Sequence, residues 1–155
     1  YAAGDHLAAT TAFRRAIALA PNDASYARIA LRLCERRLGQ PDSAASLDQP
    51  DAANDDWPRM IERYLNAAAT EDYLLLAAEN LAPVSARSGR RCEAHFYIGT
   101  MYLLAGNHDS AQVHFREAIA TNESSFAEHV LARAELGRLK DLPVQPKRRS
   151  LRLQQ

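Results

Sequence analysis

Apolar residues recur along this chain three or four positions apart, which is the spacing of one face of an α-helix. Two stripes show the spacing clearly: Tyr26, Ile29, Ala30 and Leu33, and Ala111, Phe115, Ala118 and Ile119. A half-buried β-strand would instead alternate apolar and polar residues. The pattern therefore predicts an all-α fold with no sheet.

Residues suited to helix N-termini precede several of these stripes. We predict helix starts at about Ala24, Pro58, Cys92 and Phe126, because Asp and Ser side chains cap backbone N–H groups and Pro fits a first turn. Together the two signals predict helices near residues 5–19, 24–38, 42–48, 58–68, 71–81, 92–105, 108–121 and 125–138.

The chain also repeats itself at long range. One stretch near its beginning has counterparts 102 positions later, which is three times 34: Gly4 and Gly106, His6 and His108, Ala9 and Ala111, Phe13 and Phe115, Ala16 and Ala118, and Ile17 and Ile119. A period of 34 requires similar residues at the intermediate phases. Three series largely meet this requirement: Phe13, Leu47, Leu81 and Phe115; Ala9, Ser43, Ala77 and Ala111; and Ala30, Tyr64 and Ile98. Paired helices repeated every 34 residues are the prediction.

The pattern weakens in two places. Pro41 and Pro50 interrupt the apolar spacing between residues 39 and 56, so the helix there should be short. The stretch from Pro83 to Arg91 contains Ser, Gly and three Arg residues. We predict that this second stretch is a solvated loop.

The order of small and large residues resembles the tetratricopeptide repeat (TPR) family. The best copy spans residues 94–118, with Gly99, Tyr102 and Gly106 at diagnostic places, and the other copies are partial or degenerate. The resemblance implies a helix-turn-helix solenoid of about four repeats with a C-terminal capping helix. Residues 1–140 would form this TPR-like domain, and residues 141–155 a flexible C-terminal tail.

Over roughly residues 21–139 the chain also resembles NlpI-like bacterial outer-membrane lipoproteins, which are TPR adaptors. The matching stretches are residues 57–58, 61–65, 96–104, 126–129 and 134–136. This resemblance implies a homodimeric periplasmic scaffold, held at the outer membrane by a lipid anchor upstream of Tyr1, that presents cell-wall hydrolases to a protease. Repeat spacing implies only stacked helix pairs with a concave surface. Because the array begins partway through a repeat, we expect either further upstream helices or a homodimer to cover its first helix.

Charge and cysteine content narrow the function classes. Lys+Arg and Asp+Glu both number 19, so no net positive field attracts nucleic acid. No apolar run is long enough to span a membrane. Cys34 and Cys92 are too few for a disulfide framework and lack zinc-site spacing. The sequence contains no nucleophile elbow and no phosphate-binding loop. We predict a protein that is not an enzyme and carries no cofactor.

The histidines are interpreted without metal chemistry. His6 and His108 share a repeat phase, His95 and His129 occupy positions consistent with packing, and His114 is predicted on an outer helix face. Apart from accidental neighbours, none has an acidic residue or a cysteine at i+3 or i+4 on the same helix face to form a metal-ligand pair. The prediction is therefore that the chain has no metal site.

Candidate binding residues follow from the predicted stack, in which the first helix of each pair lines the inner curve. The predicted partner-binding groove consists of Arg28, Arg32, Arg36, Arg59, Glu62, Asn66, Phe96, Thr100 and Leu103. The three arginines at i, i+4 and i+8 could clamp an acidic segment, since guanidinium groups bind carboxylates bidentately. The alternative is a solvated helix face. Phe96 and Leu103 could receive apolar side chains of a partner, or could pack on the next helix.

These observations favour a non-catalytic scaffold that binds proteins or peptides. Two alternatives stay open on the sequence. One is a TPR segment of a larger multidomain protein that serves self-assembly or partner binding. The other is a cell-wall or carbohydrate-binding module, which would need exposed aromatic side chains in the groove, and Phe96 is the one suitable candidate.

Overall fold

The structure is a computed structural model that describes residues 5–41, 43, 56–80 and 83–141. Within these ranges the chain is all-α, as predicted, and contains no strand. The helices are α1 (His6–Leu19), α2 (Ser25–Arg37), α3 (Trp57–Leu65), α4 (Glu71–Asn80), α5 (Arg87–Leu104), α6 (His108–Ala120) and α7 (Ala127–Asp141). Short 3₁₀ turns occur at Pro21–Asp23 and Val84–Ala86. The predicted helix 42–48 except Ser43, positions Leu47 and Leu81, and all of the predicted tail except Asp141 lie outside the described residues.

Local sequence explains where α1 and α6 begin. The Asp5 carboxylate accepts a hydrogen bond from the backbone N–H of Ala8 at 2.9 Å. The Asn107 side chain does the same for Ser110 at 3.2 Å. Both contacts satisfy a first-turn N–H group that has no partner within the helix. Gly106 ends the preceding helix with a φ of 74°, a left-handed conformation that glycine adopts without steric cost.

Helix α5 begins earlier than predicted. The predicted start was Cys92 and the predicted loop extended to Arg91, but the helix starts at Arg87. Gly89 accounts for the packing of this extra turn, because a Cβ at this position would lie 2.5 Å from the Phe126 ring. The prediction of a solvated loop from Pro83 to Arg91 is thus wrong for its second half, which is a helical turn that buries Gly89 against Phe126, the residue preceding α7.

Helices that follow one another along the chain pack side by side. Contacts join α1 to α2, α3 to α4, α4 to α5, α5 to α6, and α6 to α7. Further contacts join α2 to α3, α3 to α5, and α5 to α7. Helix α5 is thereby covered on several sides, and its residues Phe96, Ile98 and Thr100 are almost completely buried.

The closest packing is between α5 and α6. A Cβ at Gly99 would lie 2.8 Å from the Phe115 ring, so only glycine lets the two helices approach this closely. Phe115 is fully buried, and its ring centroid is 6.2 Å from that of Phe96. Ala111, one turn before Phe115 on α6, is also fully buried.

Helices α2 and α7 also meet. Arg37 of α2 and Glu135 of α7 form an ion pair at 2.9 Å, and both side chains are largely buried. Arg138 reaches the same carboxylate at 3.1 Å. The contact brings the first described helices, α1 and α2, against α5 and α7 and encloses a cavity between them. No helix among the described residues is long and apolar enough to cross a membrane.

Candidate partner-binding site

The three arginines of the predicted clamp lie on α2 and bond to the chain itself. Arg28 donates to the backbone carbonyl of Pro21. Arg32 is 4% exposed, and its Nη1 donates to Asn66 Oδ1 at 2.9 Å. Arg36 Nη1 donates to the backbone carbonyl of Leu65 at 2.9 Å. The bonds of Arg32 and Arg36 tie α2 to the end of α3, so these two guanidinium groups serve the contact between two helices.

The predicted groove residues of α5 are not on the surface. Phe96 is 2% exposed and Thr100 is fully buried, which corrects their predicted placement on an open inner curve. Thr100 donates its hydroxyl hydrogen to the Phe96 carbonyl at 2.9 Å, within the helix. Leu103 is half-buried and packs against the core. The physical reason is the close approach of α6 through Gly99, which seals this part of α5.

The α3 residues of the predicted groove differ in their exposure to solvent. Glu62 is 3% exposed, whereas Arg59 is half-buried and Asn66 is exposed. The nine predicted residues therefore do not form one continuous open surface in the described part of the chain. Arg28, Arg59 and Asn66 keep surface area that a partner could reach.

A cavity of about 310 Å³ lies between α1, α2, α5 and α7. Most of its walls are apolar. The lining side chains are Phe13, Ala16, Tyr26, Ala27, Ala30, Leu33, Phe96, Tyr97, Ala127, Glu128 and Leu131. Tyr26 is 43% exposed and Ala16 is exposed, so the cavity reaches the protein surface at these residues. We call it the apolar cavity.

One end of the apolar cavity is acidic. Glu128 lines the cavity and accepts a hydrogen bond from the Tyr97 hydroxyl at 3.1 Å. Glu93 lies close by, accepting from the Trp57 indole N–H at 3.1 Å and from the Tyr26 hydroxyl. Burial raises the pKa of Glu93 to about 7; the neighbouring Glu128 also raises it, and the Tyr26 and Trp57 hydrogen bonds oppose the increase. The cavity thus combines an apolar body with the carboxyl group of Glu128, and Glu93 lies beside it on Tyr26; we call these two groups the acidic end.

A second polar cluster, not predicted from the sequence, joins α4, α5 and α6. His95 Nδ1 and His114 Nδ1 are 3.1 Å apart, and His114 Nε2 is 3.1 Å from Glu71 Oε1. Tyr102 donates its hydroxyl hydrogen to Glu71 Oε2 at 2.9 Å. His114 is largely buried, so its predicted position on an outer face is wrong. No helical spacing within the sequence signals this cluster, because its members lie on three different helices.

The remaining candidates for chemistry are buried. Cys34 and Cys92 are both fully buried, and burial raises the pKa of each thiol to about 11. Both thiols therefore stay protonated near neutral pH, the form that is a poor nucleophile. Among the described residues, no three or more His, Cys, Asp and Glu side chains lie close enough together to enclose a metal ion.

Comparison with known proteins gives no assignment. No protein-family model matches the chain, and no solved structure matches it significantly. The TPR and NlpI-like resemblances therefore stay predictions made on the residues quoted for them.

Proposed function

We propose that this chain is a non-catalytic adaptor that binds another protein by taking one of its apolar side chains into the apolar cavity. The observation that supports the proposal is the cavity itself, which is apolar, reaches the surface and is formed by four separate helices. Its volume of about 310 Å³ is at the lower limit for ligand pockets and suits one or two side chains better than a whole helix. Adaptor binding commonly depends on a few such anchors.

Charge at the acidic end favours a partner with a basic residue beside its apolar anchor. Glu128 raises the pKa of Glu93 and Arg90 lowers it, so the two carboxyl groups repel each other and a further cation beside Arg90 would relieve that repulsion. Tyr26 and Tyr97 would add aromatic faces, on which Lys and Arg side chains pack favourably. This partner differs from the acidic segment expected from the arginine stripe, since Arg32 and Arg36 already donate hydrogen bonds within the chain.

The narrower form of the proposal is an NlpI-like adaptor that presents cell-wall hydrolases to a periplasmic protease. It is supported by the residues at 57–58, 61–65, 96–104, 126–129 and 134–136 alone. The paired helices of the structure are compatible with a TPR solenoid. A partner identified as a cell-wall hydrolase or a periplasmic protease would favour this form over a general adaptor.

Filling the apolar cavity tests the proposal. Ala16→Trp places a large ring at the cavity wall, and Ala18→Trp places the same ring on the same helix at an exposed position that does not line the cavity. We expect proteins captured from the source cells by the wild type to be retained by the Ala18 variant and reduced at least ~10-fold by the Ala16 variant. Quantitative mass spectrometry of captured proteins, followed by titration of the purified partner, provides the measurement.

Equal capture by both variants would contradict binding at the cavity. If both tryptophan variants capture partners equally and a charge change at Arg59 abolishes capture, the binding site is the groove surface predicted from the sequence. Both variants should first be shown to keep the helical content of the wild type by circular dichroism.

Self-assembly is the second candidate function. Leu7 and Leu19 of α1 are 65% and 77% exposed, an unusual exposure for leucines at both ends of one helix. A second copy of the chain could cover them. Analytical ultracentrifugation of the wild type and of a Leu7→Ser, Leu19→Ser variant separates this function from the first, since cavity binding does not require those two residues.

A further inference from the structure

The pair His95 and His114 has the arrangement of two metal ligands supported by a carboxylate. The two rings face each other through their Nδ1 atoms, 3.1 Å apart, with ring centroids separated by 5.3 Å. His95 belongs to α5 and His114 to α6, so the pair bridges the most closely packed helices of the molecule. The contact is independent of the apolar cavity, which His95 and His114 do not line.

Glu71 determines which nitrogen of His114 carries the proton. An ionised carboxylate only accepts hydrogen bonds, so His114 Nε2, at 3.1 Å from Glu71 Oε1, is the protonated nitrogen. In the neutral ring, Nδ1 then presents its lone pair toward His95. Tyr102 restrains this arrangement twice, by donating to Glu71 at 2.9 Å and by stacking on the His114 ring at 5.5 Å between centroids.

We propose that the two Nδ1 atoms bind a divalent transition-metal ion of the zinc class. Neutral imidazole suits such ions, and a ligand histidine commonly donates its second N–H to a carboxylate, as His114 does to Glu71. With a metal to nitrogen distance of about 2.0–2.1 Å, the present separation of the nitrogens corresponds to an angle of about 100° at the metal, between the octahedral and tetrahedral values. When the ion binds, both rings rotate away from their end-on hydrogen bond, so that both Nδ1 lone pairs point at the ion.

The ion has a route to the pair. His95 lines a second surface cavity, of about 280 Å³, together with Asp72, Glu79 and Arg91. Glu79 forms an ion pair with Arg91 at 3.5 Å within this cavity, and the Asp72 carboxylate would favour a cation there. The site would supply two protein ligands, fewer than the four of a structural zinc site or the three of a catalytic one, so water would complete the coordination and the ion would exchange readily.

Proton balance is simple for a neutral pair. His114 keeps its proton on Nε2, bonded to Glu71. In the free chain, His95 Nδ1 carries the proton of the hydrogen bond to the His114 Nδ1 lone pair. On metal binding this proton passes through water to His95 Nε2, so Nδ1 becomes available to the metal and no net proton is released. Protonation of either ring competes with the metal.

Isothermal titration of the full chain with Zn²⁺ alone tests the proposal. We expect one equivalent to bind, with affinity reduced at least ~10-fold in His95→Gln and in His114→Gln, because each substitution removes one of the two ligands. Glu71→Gln should reduce affinity about 10-fold, as supporting carboxylates do. His108→Gln, on the same helix as His114, is the matched control and should bind like the wild type.

A spectroscopic measurement distinguishes the loss of a metal ligand from the misfolding of a variant. Cu²⁺ bound to the wild type should give an electron paramagnetic resonance spectrum with two nitrogen ligands, reduced to one in the His95 variant. The absence of Zn²⁺ binding to the wild type at millimolar metal, or equal binding by both histidine variants and the wild type, would overturn the proposal. Neither result bears on the adaptor function, which depends on different residues.

Discussion

Helices α1 and α6 have closely similar sequences but are buried to very different extents. Both begin with a side-chain cap, Asp5 or Asn107, and both carry Phe at the eighth helical position. Phe115 of α6 is fully buried, whereas Phe13 of α1 is only half-buried and lines the apolar cavity. The two residues are equivalent in the 34-residue register, but their surroundings differ.

The difference arises from the helix that each one faces. Phe115 lies over Gly99 of α5, where the missing side chain makes room for the ring. Phe13 instead borders an open volume shared with Tyr26 and Leu131. Local sequence thus determines that a helix forms and where it begins, while burial depends on residues of another helix that the repeat does not copy.

Replacing each phenylalanine by alanine should separate the two environments most strongly. We expect Phe115→Ala to reduce the free energy of unfolding by about 3–5 kcal/mol, because it leaves a closed void in the tightest contact. Phe13→Ala should cost only about 1 kcal/mol, since the side chain is half exposed and already borders a cavity. Urea denaturation followed by circular dichroism measures both. Equal losses would show that the two helices are packed alike.

Glu93, on the cavity side of α5, should make the free energy of unfolding depend on pH. Glu93 has a pKa of about 7 in the folded chain, against 4.5 for an ordinary glutamate. Below the lower value both states are protonated; as pH rises toward 7, the unfolded chain releases its proton first, so stability falls. The decrease is at most about 3 kcal/mol for this group. Denaturation from pH 4 to 8 should show this decrease in the wild type relative to Glu93→Gln, whereas parallel curves would contradict the raised pKa.

The comparison also shows what could be predicted from this sequence. Six of the predicted helices correspond to α1–α4, α6 and α7 within a few residues, because caps and apolar spacing act within a single turn or two. The first turn of α5 was missed, since Ser88 and Gly89 lower helix propensity and their compensation comes from Phe126 on a distant part of the chain.

The burial of polar residues was predicted less well than the positions of the helices. Arg32 was expected in an open groove, but its partner Asn66 lies 34 residues away on the equivalent position of α3. The His95 and His114 contact likewise depends on how α5 and α6 face each other. The repeat register could have indicated the Arg32 pair, because equivalent positions of neighbouring first helices lie close together in a stack.

Two glycine-to-alanine substitutions should change the stability of the fold in opposite directions. Gly99→Ala places a Cβ 2.8 Å from the buried Phe115 ring and should destabilise by about 1–3 kcal/mol. Gly137→Ala, on α7, has nothing within 4 Å and should stabilise by about 0.5–1 kcal/mol through higher helix propensity. Thermal melts of the two variants beside the wild type give the comparison. A stabilised Gly99 variant would mean that α5 and α6 are not in close contact.

Small effects are expected at the two caps, where α1 and α6 should behave alike. Asp5→Ala and Asn107→Ala each remove one side-chain bond to a first-turn N–H, at 2.9 and 3.2 Å respectively. Each should cost about 1 kcal/mol, because the exposed cap acts on the helix end and not on the packing behind it. Urea denaturation of both variants beside the phenylalanine pair provides the measurement. If the two cap substitutions lower the free energy of unfolding equally while the two phenylalanine substitutions do not, the repeat preserves helix formation and the neighbouring helices determine burial. A cap effect confined to α6 would instead mean that α1 is not held as a helix in the folded protein.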